Sequence, residues 1–261
     1  MSAPEKMLAV LGLFSIERPV WTAEEAADVL SVSLSSAYRY FALLGEAGLV
    51  TTIATGRYTL GPSISQWDRQ IQLTDPLLTA ARPVMQDLVG YAPPGSAVLL
   101  CRYFGDRVLC VFNVFSEGPQ SLVSYERGRP MPLFRGATSK AILANLPHRA
   151  LRRLQEEHAG EIAAAGLGED WPTFRTNLAA LRKAGAVVTR QEVDRDRVGI
   201  AAPILKDDRH ALGSLSFVVR DSTTDASQIR RLSAIVIAAA GDIEAALRNP
   251  EQAQSPAAAR A

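Results

Sequence analysis

The sequence predicts an α+β protein of two domains, a small N-terminal helix-turn-helix unit closed by a β-hairpin wing and a larger mixed α/β domain. Three observations predict it. A chain of 261 residues is long for one compact α+β domain and suits a small domain followed by a medium one. Ahead of Gly61-Pro62, two helical patterns separated by a three-residue turn precede two short strand-like runs around Gly56. Beyond Pro76, strand-like runs and helical runs mix along the chain, as a sheet covered by helices requires.

In the first unit, Met7, Leu8, Leu11 and Phe14 fall at helical spacing and predict an amphipathic helix over 5–14. Thr22 followed by Ala23-Glu24-Glu25 is a capping box, in which the hydroxyl and the carboxylate each satisfy a free amide at a helix start. That second helix runs to about Leu30. After Ser31-Val32-Ser33, either Ser33 or Ser35 can cap a third helix with the apolar face Ala37, Tyr40, Phe41 and Leu44, ended by Gly48. Leu49–Ile53 and Arg57–Leu60 read as the wing strands, with Gly56 supplying the turn. The first unit is therefore placed at 1–62, and a linker helix at 63–74 with Ile64, Trp67 and Ile71 along one side.

The second domain is placed at 75–248. It opens with an amphipathic helix from Asp75-Pro76 to about Val89, followed by strands at 97–103, 107–114 and 121–125. Helices are expected at 136–146, 149–158 and 172–183, strands at 187–192, 198–205 and 212–219, and a long final helix at 225–247. The segment 249–261, rich in Ala, Gln, Pro and Ser, is expected to be a disordered tail.

Composition narrows the function classes. Hydrophobic residues make up 48% and charged residues 21%, an ordinary globular balance. No run approaches the roughly 18 apolar residues of a membrane span, so a cytoplasmic protein without a membrane partner is expected. Cys101 and Cys110 sit among strand-like apolar residues, where a thiol behaves as a small hydrophobe; neither a disulfide nor a metal site is expected. The net charge of +1 does not mark a nucleic-acid binder in bulk. In the first unit Lys6, Arg18, Arg39 and Arg57 face Glu5, Glu17, Glu24, Glu25, Asp28 and Glu46. Binding to DNA therefore requires the cations to share one face and two copies to act together.

Catalytic residues are not evident. His148, His158 and His210 fall on polar segments, Ser139-Lys140 lacks the Ser-x-x-Lys spacing, and no Gly-x-Ser-x-Gly elbow occurs. No Walker loop or dinucleotide fingerprint is present, so no cofactor is expected. An enzyme of unknown reaction and a pure protein-interaction module remain as alternatives; steep inverse salt dependence of DNA binding excludes the second.

Four blocks carry a resemblance over about Glu5 to Leu247. They are TAEEAADVLSVSLSSAYRYFALLGEAGLV with GRYTLGP, then GRPMPLFRGATSKAILANLP, then LAALRKAGAVVTRQEVDRDRVGIAAPILKD, and finally GSLSFVV with the terminal helix. Together they resemble the IclR family of bacterial transcriptional regulators. Phe134 stands where that family usually has histidine, and Ser139 and Asp196 where it usually has glycine. Tyr40-Phe41 replaces a leucine pair, and Gly45 adds flexibility late in the third helix.

The resemblance implies a winged helix-turn-helix reading a palindromic double-stranded operator as a homodimer or dimer of dimers, and a GAF-like effector-binding domain. On the third helix, Ser35 and Ser36 would contact phosphates, Tyr38 would be either a phosphate donor or a flank of the core, and Arg39 would meet a phosphate or a guanine edge, while Arg57 of the wing would reach the adjacent backbone or minor groove. The plainer alternative is that the serines only cap the helix and Arg39 is a solvated charge. The effector pocket implied by position is Leu122, Val123, Phe134, Gly136, Ala137, Thr138, Gly199, Ile200, Ser216 and Val218. Amides at a helix start hold anions, so a carboxylate effector is expected at Ala137-Thr138. Phe134 and Val218 favour a larger or aromatic acid. The alternative is that Gly136 and Ala137 are small for packing.

Overall fold

The computed structural model describes residues 2–118, 124, 126–207 and 210–249. Residues Leu122 and Val123, nearly all of the strand expected at 121–125, and the tail beyond 249 lie outside the described residues. The chain forms two compact units, Met1–Asp75 and Pro76–Ala261.

The N-terminal unit runs α1 (Ala3–Ala9), a 3-10 turn (Leu11–Leu13), α2 (Ala23–Leu30), α3 (Leu34–Glu46), β1 (Val50–Ala54), β2 (Arg57–Leu60) and α4 (Pro62–Thr74). α1 is shorter than the apolar spacing suggests: it stops before Gly12, a poor helix interior residue, and tightens into the 3-10 turn. The Thr22 box forms as expected, Thr22 Oγ1 accepting from Glu25 N at 3.3 Å and Glu25 Oε2 accepting from Thr22 N at 2.9 Å. Ser33 is the cap of α3, accepting from Ser36 N at 3.3 Å. Ala37, Tyr40, Phe41 and Leu44 are its buried residues. They meet Val10, Trp21, Ala23, Ala26, Ala27, Leu49 and Val50 in one apolar cluster.

The hairpin pairs Val50 with Leu60 and Thr52 with Tyr58. Trp21 extends it by exchanging two backbone hydrogen bonds with Tyr58, at 3.0 and 2.8 Å. Phe41 of α3 stacks on Tyr58 with centroids 4.2 Å apart, so the hairpin is fixed to the helix through an aromatic pair. Where β2 ends, Gly61 N donates to Leu49 O at 2.8 Å and Ser63 N to Gly48 O at 3.1 Å. A Cβ on Gly61 would lie 2.2 Å from the Gly48 carbonyl oxygen, so only glycine allows this close crossing.

The second unit comprises α5 (Pro76–Leu88), a 3-10 turn (Val89–Tyr91), β3 (Ala97–Phe104), β4 (Arg107–Phe115), β5 (Pro130–Met131), α6 (Ala137–Leu143), α7 (His148–Glu157), α8 (Ala159–Ala164), α9 (Trp171–Ala184), β6 (Val187–Arg190), β7 (Arg197–Asp207), β8 (His210–Arg220), another 3-10 turn (Asp221–Thr223) and α10 (Ala226–Arg248). Its sheet is antiparallel throughout, in the order β5-β4-β3-β8-β7-β6.

Strand alternation sorts the side chains onto two faces. Val98 and Leu100 of β3, Val198, Ile200, Ala202 and Ile204 of β7, and Leu215, Phe217 and Val219 of β8 pack against α5 and α10. Ala97, Leu99 and Cys101, with Cys110 of β4 and Val218 of β8, face the other way, into a cluster with α6, α7 and α9. Cys101 and Cys110 are free, buried and opposite each other in the ladder. Each fully buried Leu, Ile or Phe of these two layers contributes roughly 1.5–3 kcal/mol. α8 and the two-residue β5 had no sequence expectation.

Candidate functional site

On the N-terminal unit, the solvent face of α3 presents Ser35, Tyr38, Arg39, Ala42 and Leu43. Ser35 and Ser36 both join the cap: Ser33 Oγ donates to Ser36 Oγ at 2.9 Å and lies 3.3 Å from Ser35 Oγ. Arg39 is exposed, its guanidinium 6.0 Å from the Tyr40 ring. Arg57 is also exposed, at the start of β2. Among the described residues neither arginine pairs with a carboxylate, whereas Arg18 is held 2.7 Å from Glu25 and stacked 3.4 Å over Trp21.

Tyr38, expected as either a phosphate donor or a flank of the core, is exposed and engaged within its own unit. Its hydroxyl donates to Glu24 Oε1 of α2 at 2.6 Å. That bond raises the phenol pKa and lowers that of Glu24, both groups being at the surface. The phenolic proton therefore braces α2 against α3 and is not available to a phosphate. A groove of about 630 Å³ separates α3 from the hairpin, with Tyr38, Ala42 and Gly45 on one wall and Thr51 and Thr52 on the other.

On the second unit, α6 brings together six of the residues expected at a pocket. Gly136 opens the helix at φ 83°. Ala137 lies over Gly199, where a Cβ would stand 3.1 Å from that of Ala137. Thr138 Oγ1 is 3.1 Å from Ser216 Oγ, and Ser214 Oγ donates to the Thr138 carbonyl at 3.1 Å. Val218 pairs with Gly199 across the ladder. Of the two protons on Thr138 and Ser216, one serves their mutual bond and the other is left for a further acceptor.

Ile200 is not part of this group. With a side-chain period of two, it points to the α5 and α10 face while its neighbour Gly199 points to α6. Phe134 is buried 5.5 Å from the His158 ring and lines a separate cavity of about 360 Å³ with Arg135, Glu161 and Glu192. Leu122 and Val123 lie outside the described residues.

One amide at the start of α6, that of the cap residue Gly136, is already engaged. Glu192 Oε2 accepts from Gly136 N at 2.8 Å, and Glu192 Oε1 accepts from Lys140 Nζ at 2.7 Å. Lys140 is only 7% exposed. The amide that Glu192 occupies is that of Gly136, one residue before the Ala137-Thr138 position at which a ligand carboxylate is expected. Glu192→Ala leaves a buried ammonium and a helix amide without their acceptor, and is expected to destabilise the domain by about 2–4 kcal/mol. Urea unfolding measures this, and Glu192→Gln should lose less.

A family model, bacterial transcriptional regulator IclR C-terminal, matches residues 73–245. The chain belongs to the IclR family. The HTH-type transcriptional regulator KipR of Bacillus subtilis is 26% identical to this IclR chain over 212 residues, covering 81% of it and 83% of KipR. Among solved structures, an IclR transcriptional regulator from Alicyclobacillus acidocaldarius matches with a TM-score of 0.75 at 21% identity, covering 93% of this chain and 97% of that one. An IclR homolog from Microbacterium hydrocarbonoxydans, complexed with 4-hydroxybenzoate, matches with a TM-score of 0.74 at 20% identity, covering 95% and 99%. These two likenesses establish the fold. The matched IclR family consists of transcriptional regulators rather than enzymes. Among the described residues no helix is long and apolar enough to cross a membrane, and no cluster of His, Cys, Asp and Glu could hold a metal ion.

Sequence reasoning missed four contributors on this IclR chain. Glu192 and Lys140 are one pair, joined across 52 residues with no local signal. Asp194 is the third, accepting from Ser124 N at 3.0 Å and also from Ser124 Oγ. Arg197 is the fourth, 7% exposed at the start of β7. Ser139 also carries a buried hydroxyl that has no hydrogen-bond partner among the described residues. Helical spacing aligns it with Ile142 and Leu143, which enter the apolar cluster on this face.

Proposed function

We propose that this IclR-family regulator binds operator DNA through a winged helix-turn-helix at 1–62 and responds to a small organic acid through a GAF-like domain at 75–248, with 63–74 as the linker helix. The observation that carries the DNA reading is the surface of α3 and the hairpin. Among the described residues Arg39 and Arg57 stand exposed without carboxylate partners, while Arg18 is paired with Glu25. In this reading α3 enters the major groove, Ser35 and Ser36 approach phosphates beside the helix amides, and Arg57 follows the flanking backbone.

So few cations per copy require two copies on a palindromic site, as a homodimer or a dimer of dimers. The stripe of Trp67, 48% exposed, and Ile71, 52% exposed, is the surface of α4 that a second copy would cover. The effector reading is supported by the α6 face, where a hydroxyl proton of the Thr138–Ser216 pair and the orphan Ser139 hydroxyl await a partner; a buried polar group left unpaired costs about 1–3 kcal/mol. An aromatic acid is the class favoured, since 4-hydroxybenzoate is the molecule held by the Microbacterium homolog. The acid acts by binding two arrangements of the dimer with different affinity.

Fluorescence anisotropy against the DNA upstream of the protein's own gene tests the proposal. Expected is preference over an unrelated duplex, falling steeply as salt rises. Binding that shows no sequence preference and no salt dependence would refute it.

A further inference from the structure

Arg197 carries a permanent charge in a place where the described residues give it little to hold. A guanidinium has five N–H donors and keeps its proton at any working pH. Among the described residues its one hydrogen bond runs from Nη1 to the Gly95 carbonyl oxygen, at 3.3 Å, and no carboxylate lies within ion-pair distance. The acids nearby are engaged elsewhere. Asp196, at the surface, accepts from Ser222 N at 2.8 Å and Ser222 Oγ at 3.1 Å. Asp194 holds Ser124, and Glu192 holds Gly136 and Lys140. Asp221 is taken by Arg190 and by Gln191 Nε2. Across the ladder from Arg197 stands a second cation, Arg220.

Asp196 feels Arg197 as the smallest of the effects that lower its carboxyl pKa, and from the surface; a buried charge without a closer ion pair is costly, so an anion from outside the chain has an incentive to reach it. Strand alternation fixes where that anion would sit. Val198 faces α5 and α10, so Arg197 and Gly199 face the α6 side, with the start of α6 resting on Gly199. The guanidinium is therefore two residues along the same strand face from the Thr138, Ser216 and Val218 group.

We infer that Arg197 is the residue that selects an anionic effector: the carboxylate of the ligand seats on its guanidinium, while the Gly136 amide is already held by Glu192. This rests on the reading of the domain as a sensor of small acids. Planar guanidinium and planar carboxylate make two parallel hydrogen bonds, and the remainder of the ligand then extends along the small residues of the α6 face.

The test uses the full chain, with benzoate, 4-hydroxybenzoate and phenylacetate as probes, each paired with its neutral primary amide, and titration calorimetry as the readout. Expected is at least one acid bound about tenfold or more tightly than its amide. Arg197→Gln should weaken that acid about tenfold or more and leave the amide unchanged, with Arg197→Lys between. Without ligand, Arg197→Gln should melt no lower than the parent, because it removes a buried charge; an arginine with only a structural role would lower the Tm on removal. Acid binding that survives Arg197→Gln, or acid and amide bound equally, overturns the assignment of Arg197 alone. No binding by any acid to the parent chain overturns the sensor reading and this assignment with it.

Discussion

Arg39→Ala weakens operator binding by roughly tenfold to a hundredfold per half-site, and by more in a dimer that uses two copies, while thermal stability stays within about 0.5 kcal/mol of the parent. The reason is local. Arg39 is exposed on the outer face of α3, touches no carboxylate among the described residues and contributes nothing to the cluster of Ala37, Tyr40, Phe41 and Leu44. Its removal therefore acts on DNA and not on folding. The form of the loss identifies the contact. If Arg39 meets a phosphate, affinity falls equally for operator and random duplex and the salt slope shrinks by about one per site; if it meets a guanine edge, only the operator loses. Equal operator affinity in the variant would remove α3 as the reading helix.

Gly61→Ala unfolds or loosens the N-terminal unit, at a cost of about 3 kcal/mol or more. The new methyl would stand 2.2 Å from the Gly48 oxygen and 2.8 Å from its carbonyl carbon. Both are backbone atoms that cannot rotate away. The comparison that makes this specific is Gly56→Ala at the hairpin tip. Gly56 has φ 69° and open space around it, so the substitution meets only the left-handed backbone penalty of about 1 kcal/mol. Urea unfolding of the two variants, followed by circular dichroism, should separate them clearly; equal losses would mean that the chain path from β2 to α4 relaxes around the methyl.

What could be read in the sequence was what neighbours along the chain decide. The Thr22–Glu25 box and the buried stripe of α3 lie within single turns, and their chemistry is complete in a few letters. The Gly105-Asp106 turn joining β3 to β4 is of the same kind, with both residues at positive φ. Failures begin where partners are far apart. Glu192 reaches back 56 residues to Gly136 and 52 to Lys140, and no local pattern announces it. Ile200 was placed beside Gly199 because the two are adjacent in sequence, although adjacency in a strand means opposite faces. Tyr38 reads equally as a phosphate donor or a core flank because Glu24, its acceptor, is on another helix. α8 is six residues rich in alanine and glycine, below the length at which an apolar period can be recognised.

The Tyr38–Glu24 bond also bears on how such a regulator can acquire new targets. A residue that joins two helices cannot be exchanged for its DNA chemistry alone, since any replacement releases the strut between them and exposes a carboxylate to the approaching phosphates. Drift in sequence preference is thereby channelled toward Ser35, Arg39, Ala42 and Leu43, which are exposed and carry no such tie. Paralogues that diverge in operator should vary at those four positions and change Tyr38 and Glu24 only as a pair.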